Sequence, residues 1–528
     1  MSLSQTSTAF LSSLRERTGS LALDRSLGIR LARIGGVAGF CATLLAYVQC
    51  ASPHLVGSDG YYHIKMAALV LEHGLKVPFP WLPMTLLDDA GFTDHHMLLH
   101  AMQAPFVAMI PDLAIAAKIA SVAIATLSFT VFYLVLSWHR VRFPFLWLVL
   151  LFGAANPFLY RMSMARGQSL SVALQLLAAH LILRRNAFAL GILSAVFAWS
   201  YNGFPILFPL VLFGVIAHWI ADRTLDVRLV VATAAGVLFA LIVNPYFPQN
   251  VHFLWNHVVP KLLVTSYATS VGNEWQPYSS WAIVTLLPCA ALAYLVALAV
   301  TNREEWRADA PTLFWLLAAT MQLILLLKSR RFVEYFPPTA IMFLAFAARD
   351  RLAAWKIDSI RWTEARLAVV AGAAIALMGL VQITVSRARD EIRGEASTAV
   401  YAGGSRWLAA HTPQGARVFH TDWDDFPKLF FFNTHNTYLV GLDPDFMRLV
   451  HPGLYDRWVE ITRGHEKSPE NEIMDDFGAR WVFTDRDHRE FIAVADASPR
   501  MKRAYADRHA IVYRMVAAED APDGELPR

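Results

Sequence analysis

The chain has 528 residues, of which 56% are hydrophobic and 17% charged, and its net charge at pH 7 is +4. Soluble proteins average about 45–50% apolar and about 25% charged residues, so this composition excludes an ordinary soluble enzyme. The net charge is small for a chain of this length, and its positive residues lie where membrane topology needs them, so no nucleic-acid partner is expected. The apolar residues fall in runs of about 17–22, the length that crosses a bilayer, and they predict a polytopic membrane protein.

The N-terminal 33 residues are basic and have no convincing small-residue cleavage site, which predicts a cytoplasmic tail rather than a removable signal. The first apolar segment covers about 34–51, and a long external loop at 55–110 follows it. Ten further apolar segments predict about eleven transmembrane helices in a domain spanning 34–388, with a second large external loop at 246–280. These segments lie near 114–137, 143–159, 169–183, 187–202, 204–220, 228–245, 281–300, 311–327, 334–348 and 366–386.

The basic loops predict the topology of these segments. With the N-terminus inside, arginines and lysines fall in every inner loop, as the positive-inside rule requires. They are Arg140, Arg142, Arg184, Arg185, Arg223, Arg228, Arg303, Arg307, Arg349, Arg351, Lys356 and Arg361. Nearly all chemically suggestive residues then lie on the outer face, which in a bacterium is the periplasmic face of the inner membrane. Use of arginine over lysine and many alanines are typical of bacteria with GC-rich DNA.

The composition changes near residue 390, where the chain becomes polar and rich in turn residues. Strand-like pieces at 416–419 and 481–484 alternate with predicted helices near 399–410, 453–463 and 470–477. This pattern predicts an external α/β domain covering 389–528. No internal repeat is present, so the inverted-repeat signature of many transporters is missing.

The first external loop contains two acidic clusters. Asp59 opens the stretch Asp59-Gly60-Tyr61-Tyr62-His63, and Asp94 lies among several neighbouring acids and imidazoles. Carboxylate and imidazole groups together hold divalent ions or transfer protons. The spacing matches no zinc motif, so an interfacial structural cluster remains the alternative.

Three further external features carry charge. Arg161 lies close to the predicted hydrocarbon region, where an arginine pairs, snorkels or binds an anion. Glu274 lies beside a tryptophan in the 246–280 loop. This arrangement suits a lid that closes over a substrate, but an ordinary loop glutamate would look the same. Arg330 and Arg331 form a basic cluster on the side where topology needs none, which favours phosphate binding over lipid contact or pairing with Glu334.

The order of these motifs resembles the GT-C glycosyltransferases and, more narrowly, the catalytic subunit of oligosaccharyltransferases. The stretch from Asp59 to His63, followed by Glu72-His73-Gly74, is similar to the family's first-loop pattern. The segment 270–277 resembles the family's external-loop motif, and Arg330-Arg331-Phe332 its arginine after a late span. Trp407-Leu408, Thr412-Pro413 and Trp423-Asp424 resemble the entry to its external domain.

The resemblance implies transfer of a sugar or oligosaccharide from a polyprenyl phosphate or diphosphate donor to an external acceptor, with inversion. Asp59 and Glu274 would be the catalytic carboxylates, and the acceptor would be a protein, a glycan or a lipid. The donor phosphate would be bound by Arg330, Arg331 and Arg161. The acceptor would be bound by Tyr61, Tyr62, Trp423 and Asp424.

The resemblance also implies a divalent cation, Mg²⁺ or Mn²⁺, held by Asp59. The family's second acidic motif has no counterpart here, because the corresponding segment 161–168 carries no carboxylate. Asp94 or Glu274 would then complete the metal site, or the enzyme would work without a metal. Two other functions remain open: transfer of a single sugar to a lipid or surface glycan, and transport of lipid-linked glycans as a flippase. A noncatalytic membrane anchor is a third, disfavoured by the external charges.

Overall fold

The computed structural model describes residues 27–263, 273–301, 307, 309–355 and 363–516. Most of the predicted N-terminal tail therefore lies outside the described residues, as does Ser270-Val271 of the external-loop motif.

The part of the chain up to Arg393 is helical. Its helices are α1 (Leu27–Gln49), α2 (Asp59–His73), α3 (Met97–Met109), α4 (Leu113–Trp138), α5 (Pro144–Phe152), α6 (Asn156–Met162), α7 (Gln168–Leu183), α8 (Ala187–Ser200), α9 (Leu207–Asp222), α10 (Arg228–Ile242), α11 (Gln249–Leu263), α12 (Ser280–Leu286), α13 (Pro288–Val300), α14 (Ala310–Lys328), α15 (Phe336–Ala347), α16 (Arg349–Ala354) and α17 (Glu364–Arg393). Short 3₁₀ turns cover Phe204–Ile206, Asn273–Trp275 and Arg330–Glu334.

Within the described residues, five helices are long and apolar enough to cross a membrane, which makes the chain an integral membrane protein. The number rises to seven if the bent pairs α5–α6 and α12–α13 each count as one span. The predicted count of about eleven spans is not confirmed. Five further apolar helices have only 10–17 residues, because glycines, prolines and polar turns interrupt the apolar runs.

Polar residues at the helix starts explain several boundaries. The carboxylate of Asp112 accepts hydrogen bonds from the backbone nitrogens of Ala114 and Ile115 at the start of α4. Asp309 caps α14 in the same way through the nitrogen of Thr312. Such side chains satisfy backbone donors that the first helical turn leaves without partners.

Helices α8 and α10 pack closely because glycines face each other. A Cβ atom at Gly236 would lie 2.0 Å from the backbone oxygen of Gly191. Small residues are the usual means by which membrane helices approach each other, since lipid offers no hydrophobic drive for their association.

The helical part has two chemically different ends. Arg349 pairs with Asp309 at 3.0 Å, and Arg142 donates to the backbone oxygen of Leu352 at 2.9 Å. These predicted inner residues lie at one end of α14, and Arg331 follows its other end. Because α14 has 19 residues, it separates the two by about 28 Å.

The C-terminal part contains a five-stranded sheet, which confirms the predicted small α/β unit. Its strands are β1 (Arg417–His420), β2 (Thr437–Tyr438), β3 (Trp481–Asp485), β4 (Met501–Ala506) and β5 (Ala510–Met515). They lie in the order β2-β1-β3-β5-β4. Strand β1 pairs in parallel with β2 and β3, whereas β5 is antiparallel to both β3 and β4. The accompanying helices are α18 (Ala402–His411), α19 (Phe426–Phe432), α20 (Asp445–Val450), α21 (Pro452–Thr462), α22 (Glu470–Asp475) and α23 (Arg489–Ala497).

The first external loop packs directly onto this C-terminal unit. Phe79, Trp81 and Phe92 share one hydrophobic cluster with Phe430 and Phe446. The indole nitrogen of Trp81 donates to the backbone oxygen of Thr434 at 2.8 Å. The loop and the C-terminal unit are thereby held together above the helical part. The predicted domain boundaries stay predictions, and α17 runs through the one at 388/389.

Candidate active site

A cavity of about 480 Å³ lies where the first loop, one end of the helical part and the C-terminal unit meet. Of the predicted site residues, seven line it: Asp59, Tyr62, Arg161, Glu274, Arg331, Trp423 and Asp424. Ligand cavities commonly measure about 300–1,000 Å³, so this one has room for a small ligand.

Asp59 is the first residue of α2, where a negative side chain interacts favourably with the helix dipole. Two glycines let this helix end approach the segment between α6 and α7. Gly57 has a φ of +73°, and a Cβ there would lie 2.8 Å from the Cε of Met164. At Gly60, a Cβ would lie 3.2 Å from that of Ala165. The close approach brings Arg166 to Asp59, with 3.0 Å between Nη1 and Oδ2.

Three guanidinium groups converge on the carboxylate of Glu274. Its oxygens lie 3.0 Å from Nη1 of Arg161, 3.2 Å from Nη1 of Arg331 and 3.4 Å from Nη1 of Arg166. Burial alone would raise the pKa of Glu274, but Arg166, Arg331 and Arg161 outweigh it and hold that pKa well below its usual range. Glu274 is therefore negatively charged at neutral pH.

Arg161 and Arg331 are anchored on the side away from Glu274. Arg161 donates through Nε to Glu334 at 2.8 Å, and the side chain of Glu334 is fully buried. Arg331 donates to the hydroxyl of Tyr201 at 2.8 Å, and its guanidinium lies 4.9 Å from the ring centre of Trp275. These contacts fix both guanidiniums at the cavity wall, as anion recognition requires.

Arg330 does not line the cavity. Its Nε donates to the backbone oxygen of Pro277 at 3.2 Å, and its guanidinium lies 5.3 Å from the ring centre of Tyr278. Adjacent residues of a 3₁₀ turn point about 120° apart, which explains why Arg331 reaches the cavity and Arg330 does not. The expected contact of Arg330 with the donor phosphate is therefore corrected. Arg330 instead supports the loop that contains Pro277 and Tyr278.

The two tyrosines of the first motif also separate. Tyr62 lines the cavity, whereas Tyr61 is buried with its ring 5.3 Å from that of Phe431. Neighbouring positions on α2 face different directions, so an acceptor in the cavity meets Tyr62 and not Tyr61. The expected acceptor contact of Tyr61 is corrected on this ground.

The C-terminal unit contributes a 3₁₀ turn, Trp423–Asp425, in which Asp422 accepts from the nitrogen of Asp424 at 3.0 Å. The hydroxyl of Ser58 donates to Oδ1 of Asp424 at 2.9 Å, which links the turn to the start of α2. Burial among the cavity walls and the nearby charge of Asp59 raise the pKa of Asp424 to about 6. This carboxyl group therefore changes its charge close to neutral pH.

Asp94 lies outside the cavity lining. Its Oδ2 is 2.7 Å from Nδ1 of His100, and its Oδ1 accepts from the backbone nitrogen of His96. The Nε2 of His100 lies 2.8 Å from Nδ1 of His63, which does line the cavity. Asp94 thus orients a histidine chain behind the site instead of facing Asp59.

The described residues do not fit the expected divalent cation. They contain no group of three histidine, cysteine or acidic side chains that could hold a metal ion. Asp59 contacts a guanidinium, and Asp94 is engaged with two histidines. These contacts do not support a metal shared by Asp59 and Asp94, and that expectation stays a prediction.

Sequence reasoning did not select Arg166, His63 or Tyr201 as site residues. His63 follows Asp59 by four residues, a spacing that places both on one helix face. Arg166 precedes an apolar helix on the outer side, the same signal that singled out Arg331. Tyr201 carried no such signal, because only the fold brings it to Arg331.

No protein-family model matches the chain, and a search of curated proteins finds no significant match. Solved structures do match. The apo oligosaccharyltransferase from Archaeoglobus fulgidus aligns with a TM-score of 0.62 and 13% identity over 93% of this chain and 75% of its own.

ArnT from Cupriavidus metallidurans bound to undecaprenyl phosphate aligns with a TM-score of 0.56 and 14% identity over 93% of this chain and 99% of its own. The arabinofuranosyltransferase AftD from Mycobacteria aligns with a TM-score of 0.57 and 13% identity over 93% of this chain and 40% of its own. All three are GT-C glycosyltransferases. The chain therefore has the GT-C fold and resembles the oligosaccharyltransferase in its architecture.

Proposed function

We propose that the chain is a membrane glycosyltransferase that transfers a sugar or oligosaccharide from a polyprenyl phosphate or diphosphate donor. The acceptor is bound on the outer face, in a bacterium the periplasmic face of the inner membrane. The observation that carries the proposal is the convergence of Asp59, Arg161 and Arg331 on one cavity beside the apolar helices. Similar structures are described in complex with dolichol-phosphate and undecaprenyl phosphate, which supports this donor class.

Each cavity residue has a role in this reaction. Asp59 accepts the proton or hydrogen bond of the acceptor nucleophile as it attacks the anomeric carbon. Arg331 and Arg161 bind the departing phosphate, where preorganised positive charge stabilises the transition state. A single displacement from the face opposite the phosphate inverts the anomeric centre.

The acceptor enters from the side of the C-terminal unit. Trp423 and Asp424 form that wall of the cavity, Tyr62 the wall of the first loop, and Glu274 covers the arginines. The archaeal oligosaccharyltransferase is described in complex with an inhibitory peptide, which supports a protein acceptor. Transfer of a single sugar to a lipid or surface glycan is the alternative. We place protein first because the C-terminal unit adjoins the cavity, as transfer to a bulky external acceptor requires.

The alternative of a flippase receives no such support. A transporter places its charged substrate contacts near the midplane of its spans. Here Arg331 follows the outer end of α14, about 28 Å from the inner ion pair of Arg349. The charges lie where chemistry at one membrane face requires them.

The test uses the purified full chain in detergent with radiolabelled polyprenyl-linked sugars, supplied with peptide, glycan or lipid acceptors. We expect a labelled product that Asp59→Asn reduces at least about 100-fold. The control is Asp89→Asn, an exposed aspartate of the same loop outside this cavity. Undiminished transfer by Asp59→Asn would refute the catalytic role. Movement of the labelled lipid across vesicles without any transferred product would favour the flippase.

A further inference from the structure

Arg166 lines the cavity next to two carboxylates. Its Nη1 lies 3.0 Å from Oδ2 of Asp59 and 3.4 Å from Oε2 of Glu274, and only 15% of its side chain is exposed. Ser58, the residue before Asp59, donates a hydrogen bond to the carboxylate of Asp424 at 2.9 Å. The carboxyl groups of Asp59, Glu274 and Asp424 thus line one cavity, and the guanidinium of Arg166 contacts the carboxylate of Asp59.

The donor set around Asp59 differs from that of a metal centre. Divalent Mg²⁺ and Mn²⁺ bind mainly through several oxygen ligands, of which acidic side chains provide the charge. The described residues contain no such group of three. The stretch 258–273, which precedes Glu274 in the sequence and whose side chains the structure does not describe, contains no Asp, Glu, His or Cys. That stretch adds no side-chain ligand of these types.

We propose that Arg166 supplies, as a fixed guanidinium, the positive charge beside Asp59 that a divalent cation would otherwise supply. The reaction then proceeds without a metal, and Arg166 is a positioning residue. It holds Oδ2 of Asp59, so that Oδ1 accepts the hydrogen bond of the acceptor nucleophile. It also reduces the repulsion between Asp59, Glu274 and Asp424. The catalytic part of this inference rests on the proposed function.

A guanidinium suits this task better than an ammonium. It remains charged at every physiological pH, and its planar donors address two carboxylates at once. Burial lowers the pKa of Arg166, but Asp59 and Glu274 outweigh burial and raise it above its ordinary value. The charge is therefore permanent, unlike an exchangeable ion.

The first experiment measures metal binding and does not depend on activity. The wild-type full chain and Asp59→Asn, both in detergent, are titrated with Mn²⁺ while free Mn²⁺ is followed by electron paramagnetic resonance. We expect the two proteins to bind equal amounts. One additional equivalent bound by the wild type would overturn the inference.

The second experiment measures sugar transfer. We expect full wild-type activity in excess chelator, a loss of at least about 100-fold in Arg166→Ala, and partial recovery of that variant by added guanidinium ion. Arg166→Gln, closer in size, guards against a folding defect and should lose a similar factor. The matched control is Arg349→Gln, which breaks a half-buried arginine–aspartate pair at the inner end.

These outcomes separate the two proposals. Wild-type activity that disappears in chelator and returns with Mg²⁺ or Mn²⁺ would overturn the role of Arg166. So would full activity of both Arg166 variants. A wild-type protein that transfers sugar from none of the donors would refute the proposed function, while the Mn²⁺ titration would still decide whether Asp59 holds a metal.

Discussion

Buried charges at this site are stabilised by mutual pairing. Arg161 bridges Glu334, which is fully buried, and Glu274 at the cavity surface. An ion pair of this kind contributes little net stability, but the loss of one partner leaves the other charge buried without compensation. Residue substitutions here therefore affect folding and function together, and paired substitutions are needed to separate them.

Arg161→Gln is expected to destabilise the protein by about 3–5 kcal/mol, because the buried carboxylate of Glu334 loses its partner. Adding Glu334→Gln should restore much of the melting temperature, since the double variant buries no unpaired charge. Thermal unfolding of the detergent-solubilised variants measures both effects. A double variant no more stable than Arg161→Gln alone would contradict this explanation.

The pKa of Asp424, raised to about 6 by burial and by Asp59, predicts a pH-dependent acceptor site. Its ionised form accepts hydrogen bonds more strongly, so kcat/KM for the acceptor should rise as pH increases through about 6. Asp424→Asn should lose this rise, and pH–rate profiles of the two proteins test it. An identical profile in the variant would assign the titration to another group.

The same shift affects folding stability. The folded state binds the Asp424 proton more tightly than the unfolded state, in which the pKa has its usual value of 3.8. The contribution of Asp424 to stability is therefore lost as pH rises from about 4 to about 6. Asp424→Asn should unfold with less pH dependence in that window.

At the scale of elements, the pattern of apolar residues explains why several strands and helices of the C-terminal unit were predicted correctly. Predicted strands at 416–419 and 481–484 correspond to β1 and β3, and the predicted helix at 453–463 to α21. The count of about eleven spans is not confirmed, because the predicted segments 169–183, 187–202, 228–245 and 334–348 form helices of only 10–17 residues. Two other predicted segments are bent helix pairs. The pairs α5–α6 and α12–α13 bend by 93° and 92°.

The contact between α8 and α10 gives a prediction at this scale. Gly236→Ala should lower the melting temperature, because its Cβ would lie 2.0 Å from the backbone oxygen of Gly191 and the helices would have to separate. Gly372→Ala on α17 is the matched control, since nothing lies within 4 Å of its Cβ position. It should be neutral or slightly stabilising, by up to about 1 kcal/mol. Equal melting temperatures would contradict the close packing.

At the scale of the whole molecule, the cavity is assembled from distant parts of the chain. Ser58, the neighbour of Asp59, donates a hydrogen bond to Asp424 across 366 positions of sequence. Trp81 ties the first loop to the C-terminal unit. This arrangement requires the cavity and the sheet to be on the same side of the membrane.

Site-directed labelling tests this arrangement. Single cysteines are placed at the exposed positions Lys502 on β4 and Arg351 on α16, with Cys41, Cys50 and Cys289 replaced by alanine. In intact cells, an impermeant maleimide should label position 502 and not position 351. Labelling of position 351 alone would reverse the proposed topology.

From the sequence alone it follows that the chain enters the membrane. The sequence also predicts that the basic loops share one side and that Asp59, Arg331, Glu274 and Asp424 lie on the other. Apolar length and charge position are local properties, so they can be read from neighbouring residues. The fold is needed to see that Arg331 lines the cavity and Arg330 does not, that Asp94 lies outside the lining, and that Arg166 contacts Asp59. Those facts depend on helix rotation and on the approach of two glycines to another segment, which no stretch of sequence contains.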